Sequence, residues 1–124
     1  MNLTTAAVGL LMGLILVTVL DTLGAISSRK AGYNYAYLAP LSFIVYLSIG
    51  YFLSKAVQIE IAILLTGIVG IYDGTIGWKL ALALKANMPM SQEDLKKMTI
   101  ANRVVTMAVF SGFLGYVGYS IGAN

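Results

Sequence analysis

Ile59-Glu60-Ile61-Ala62-Ile63-Leu64-Leu65-Thr66-Gly67-Ile68-Val69-Gly70-Ile71-Tyr72-Asp73-Gly74-Thr75-Ile76-Gly77-Trp78-Lys79 is the stretch whose reading decides the fold class. No charge falls between Glu60 and Asp73. Polar positions do not recur at the helical period that a water-facing helix needs. At about 1.5 Å per residue the run is roughly 30 Å long as a helix, the thickness of a bilayer's hydrocarbon core. Trp78 followed by Lys79 reads as an interfacial anchor, an aromatic ring at headgroup level beside a snorkelling ammonium. The span is therefore expected to end near residue 79, with Leu80 to Ala86 at or just beyond the membrane surface.

Three further runs have the same character: about residues 5–26, 35–57 and 100–123. The chain is 59% hydrophobic and 10% charged, whereas soluble domains carry about a quarter charged residues. The expectation is an all-α membrane protein, one domain over residues 1–124 with four transmembrane helices. Pro40 falls where a helix start tolerates a missing N–H. The first run is too long for a signal-peptide core and lacks a basic n-region, so it is read as a retained span.

The charges orient the spans. Arg29 and Lys30 follow the first, and Lys79, Lys85, Lys96, Lys97 and Arg103 surround the connection of the third and fourth; only Lys55 lies on the opposite side. Basic residues in short connections mark the cytoplasmic face, so both termini are expected outside, in a multi-pass protein of an inner or plasma membrane. Spans two and three then form a tight outer hairpin around Lys55 to Glu60. Asn87 to Thr99 is the one sizeable polar segment. There Pro89 is expected to break the preceding helix, and Ser91 with Asp94 resembles a capping box opening the next.

Absent residues exclude whole chemistries. There is no Cys and no His, which removes disulfides, thiol and imidazole catalysis and the usual zinc and haem ligands. The net charge of +3 is not organised into a basic, aromatic-interleaved stripe, so nucleic-acid binding has no support. No cofactor, metal or enzymatic activity is expected. An aspartyl hydrolase would need its two acids in contact and lacks a recognisable local motif here.

Two faint internal matches suggest duplication. Asp21-Thr22-Leu23-Gly24 resembles Asp73-Gly74-Thr75-Ile76-Gly77 with one residue inserted, and Gly50-Tyr51 matches Gly115-Tyr116. Two copies of a two-helix unit would share one orientation about an axis along the membrane normal. Small residues form stripes at steps of three and four: Gly67, Gly70, Gly74 and Gly77; Ser111, Gly112, Gly115, Gly118 and Gly122; and Gly9 with Gly13. In lipid, such stripes let backbones approach and pack. They suit packing within the chain and also a homodimer.

Asp21 lies eight residues before Arg29, and Asp73 six before Lys79, placing both carboxyls roughly 9 to 12 Å from the inner charged boundary. A charge at that depth costs about 2 to 3 kcal/mol or more, and such residues face a bundle interior, a partner or a water path. Flanked by Thr22, Thr75 and Tyr72, the two acids are the candidate proton or small-cation site of an ion-coupled transport or sensing protein; oxygen-only groups suit a proton or hard cation. If the acids are instead structural, Arg103, Lys79 and Asn102 are their expected charge and hydrogen-bond partners. A competing reading is a non-catalytic scaffold or accessory subunit that binds another membrane protein or lipid through its glycine faces.

Overall fold

The computed structural model describes residues 3–86 and 99–123, which are helical throughout with no strand. Four helical rods form an antiparallel bundle: α1 (Leu3–Ala31), α2 (Ala39–Leu53), α3 (Ile59–Ala83) and α4 (Ile100–Ala123). Of these, α1, α3 and α4 are long and apolar enough to cross a membrane. The expected cytoplasmic features at Pro89, Ser91, Asp94, Lys96 and Lys97 lie outside the described residues.

Arg29 and Lys30 in the last turn of α1 complement the helix dipole. Gly32, at φ +79, then donates its N–H to the Ser28 carbonyl at 2.9 Å, ending the helix in the left-handed conformation that glycine adopts without strain.

The second helix occupies less than the apolar run read over residues 35–57. A 3₁₀ turn at Tyr35–Leu38 precedes it, and α2 itself has 15 residues with Pro40 in its first turn. Its far end is closed by Ser54, whose hydroxyl donates back to the Tyr51 carbonyl at 2.7 Å, while Val57 N–H turns onto Leu53 at 3.1 Å. The hairpin between α2 and α3 is as tight as the sequence implied.

The third rod extends beyond the run read over residues 59–79. It continues past the Trp78-Lys79 pair to Ala83 and stops before Pro89. Lys85 adopts φ 58, Ala86 N–H reaches the Ala81 carbonyl at 3.0 Å and Lys85 N–H that of Leu82 at 3.1 Å. That 6→1 and 5→2 pair is a Schellman stop, made here with Lys in the place glycine usually takes.

Packing is inverted relative to a water-soluble bundle. Inward positions of α1 are small, namely Ala6, Gly9, Gly13, Ala25 and Ser28 with Val17 and Asp21, while Leu11, Ile15 and Leu23 point outward and are about 60% exposed. Large apolar groups outside and small ones inside suit a lipid surround. The closest approaches use the predicted glycines. A Cβ on Gly50 would fall on the Gly115 carbonyl, one on Gly118 would meet the Leu47 carbonyl, and one on Gly70 would meet the Ser111 hydroxyl. Gly115 packs on Thr66, Gly74 on Met107, Gly112 on Ile63, Gly122 on Ser54, Gly9 on Leu53 and Gly13 on Ile49. Most of the stripe is thus taken up within one chain; Gly67 has only the Ala108 carbonyl nearby, at 3.8 Å.

Candidate functional site

Within α3, the segment Asp73–Gly77 is a single π-helical turn, with Trp78 N–H reaching back five residues to the Asp73 carbonyl. Its cause is readable locally. Two glycines weaken the α-helix, and the Thr75 hydroxyl donates to the Ile71 carbonyl at 2.8 Å, occupying the acceptor that the Thr75 N–H would use in an α-helix. Wide turns of this kind occur frequently at functional sites.

This turn faces α1 at Asp21. The two carboxyls lie side by side, each with an oxygen against the position that a Cβ on Gly77 would take. Both sit over Gly77: a Cβ there would collide with Asp21 Oδ2 and stand 2.8 Å from Asp73 Oδ1. Glycine at 77 is therefore what leaves room for the pair. The outer oxygens are held by tyrosines. Tyr35 donates to Asp21 Oδ1 at 3.1 Å and Tyr46 donates to Asp73 Oδ2 at 2.6 Å. Asp21 is only 5% exposed, and its Oδ2 is buried without a donor. Among the described residues, neither carboxylate is held by an ion pair.

The expected flanking residues divide. Tyr72 turns to Thr18, their hydroxyls 2.6 Å apart, and Thr75 bonds its own helix, so neither touches the acids. Thr22 is half-buried and gives the pair no hydrogen bond. Lys79 is exposed. Arg103 does come close, but not as a carboxylate clamp: its Nε donates to the Gly74 carbonyl at 3.1 Å and its guanidinium lies over the Trp78 ring, 5.2 Å from the centroid. Sequence reasoning did not single out Tyr35, nor the particular roles of Tyr46 and Gly77. The only available signal for Tyr46 was a phenol deep in a span, which needs a partner.

The pair opens on a cavity of about 490 Å³ walled by Asp21, Asp73, Tyr35, Tyr46, Trp78 and Arg103, with Phe43 and Phe110 closing one side at a centroid separation of 4.9 Å. A larger groove of about 670 Å³ runs between α1, α2 and α4 near the α2–α3 hairpin, past Met12, Leu16 and Phe52. Its lining includes only one ionisable side chain that is charged at neutral pH, Lys55, so size does not mark the chemical site here.

No family model, curated protein or solved structure matches this chain.

Proposed function

We propose that this chain is a small integral membrane protein that transports or senses a proton or small cation through Asp21 and Asp73. The observation that carries the reading is the meeting of the two carboxyls at the wall of a cavity, with Asp21 Oδ2 buried and lacking a donor. A buried acceptor without a donor is unfavourable by about 1 to 3 kcal/mol. One proton on the pair converts a carboxyl into a donor and completes the set, with both tyrosines already directed at the outer oxygens. Two like charges so close resist simultaneous ionisation, so the pair exchanges protons as a unit.

Spatial pairing also supports the duplication. The two acids matched in sequence meet each other, and so do the matched glycines Gly50 and Gly115. On this reading both termini face outward, and the site lies in the cytoplasmic half of the membrane. The scaffold alternative draws less support, because its glycine faces are largely occupied inside the chain. A homodimer rests on the outward apolar faces and on Gly67.

The test is flux in proteoliposomes under an imposed pH gradient, comparing wild type with Asp21→Asn, Asp73→Asn and the double variant. Wild-type proton flux lost equally in all three variants is the expected result, since either acid alone lacks its partner. Additive stability losses with no wild-type flux would sink transport and leave the scaffold reading.

A further inference from the structure

The cavity beside the acid pair is larger than a proton requires, and its walls have a definite chemistry. Five aromatic rings line it, those of Tyr35, Phe43, Tyr46, Trp78 and Phe110, and the two carboxyls supply the negative charge. We infer that this cavity binds an organic cation with an apolar or aromatic body, in exchange for the proton held between Asp21 and Asp73. The inference rests on the carboxyl-pair reading above and adds the class of ligand.

Three observations select an organic cation over a metal ion. Hard cations need about six or more oxygen ligands in a close shell, whereas here the tyrosine hydroxyls are donating to carboxylates and the remaining walls are largely rings and aliphatic groups. Aromatic faces attract organic cations, most strongly where water is excluded. The protein already demonstrates the accommodation, because the guanidinium of Arg103 lies over Trp78 in this same cavity, 5.2 Å from the ring centroid. The volume of about 490 Å³ falls in the range of small-molecule sites, about 300 to 1,000 Å³.

Charge balance makes the exchange one for one. The ionisable groups facing the site are Asp21 from α1, Tyr35 from the 3₁₀ turn, Tyr46 from α2, Asp73 from α3 and Arg103 from α4. With one proton on the pair and neutral phenols, the pair carries one negative charge; releasing that proton adds a second, which a monovalent cation entering the cavity offsets. Proton and ligand therefore compete, and ligand affinity rises with pH until the pair is ionised.

Trp78 is the sole tryptophan and lines the cavity, so intrinsic fluorescence reports occupancy directly. The experiment titrates the full chain in nanodiscs with N-methylquinolinium, using quinoline, neutral at pH 8, as the uncharged control, and follows proton release with a dye in weak buffer. Expected are saturable quenching by N-methylquinolinium alone, one proton released per ligand, and an affinity that falls about tenfold per pH unit on the acid side. Asp21→Asn and Asp73→Asn should each weaken binding about tenfold or more. Phe43→Leu should weaken it about threefold. Equal quenching by quinoline, or a pH-independent affinity in the wild type, overturns the inference without depending on whether any variant folds. If proton flux persists in that case the carboxyl-pair reading survives alone; if flux is also absent, both fall.

Discussion

Tyr46 and Asp73 are joined by a 2.6 Å hydrogen bond in which a phenol with no exposed surface donates to Oδ2. The donor comes from the middle of α2 and the acceptor from the first residue of the π turn, so the bond couples the shortest rod to the irregular part of α3. Tyr46→Phe keeps the ring and removes the donor, leaving an oxygen of the half-buried Asp73 carboxylate short of a partner. The expected cost is about 1 to 3 kcal/mol in thermal unfolding. Tyr119→Phe is the control, since Tyr119 donates to the Val57 carbonyl at 2.8 Å far from the acids. Both should lower Tm, and only Tyr46→Phe should change the pH dependence of proton exchange; identical pH profiles would remove Tyr46 from the site.

Gly77→Ala tests the claim that absence of a side chain makes the pair possible. The new methyl falls on Asp21 Oδ2 and beside Asp73 Oδ1, so it should force the carboxyls apart. Coupled titration should collapse into two independent acids in pH-dependent infrared difference spectra. At Gly67, where a Cβ would meet only the Ala108 carbonyl at an ordinary contact distance of 3.8 Å, Ala should be neutral or favourable by about 0.5 to 1 kcal/mol. A Gly77→Ala protein that retains a coupled pair contradicts the geometry.

The α2–α4 seam makes a separate prediction. At Gly118 a Cβ would strike the Leu47 carbonyl, and at Gly50 the Gly115 carbonyl. Backbone cannot rotate away as a flexible side chain can. Gly118→Ala and Gly50→Ala should each destabilise by about 1 to 3 kcal/mol as overpacking, measured by thermal or denaturant unfolding in micelles. Gly112→Ala, whose nearest neighbour is an Ile63 methyl at 3.5 Å, should cost little.

Orientation is checked by labelling. With no native Cys, single cysteines at exposed Gln58 and exposed Lys30 give clean signals. An impermeant maleimide added to intact cells should label Gln58→Cys and spare Lys30→Cys. The opposite pattern would reverse the topology drawn from the basic residues.

By itself the sequence determined the number and kind of rods and the position of the tight hairpin, because helix rise and apolar run length depend on one segment at a time. The period of 3.6 also placed Asp21 and the glycine stripes on inward faces, since that is a property of a single helix. Tertiary structure alone decided which neighbour each face meets: that the two carboxyls converge over Gly77, that Tyr35 and Tyr46 supply their donors, and that Arg103 settles on Trp78 and the Gly74 carbonyl. It also decided where helices stop or widen, as at Lys85 and at Asp73–Gly77. In those places backbone hydrogen bonds compete with side-chain hydroxyls and left-handed caps at energies of about 1 kcal/mol, too close for propensity to settle, and packing against the other rods selects the outcome.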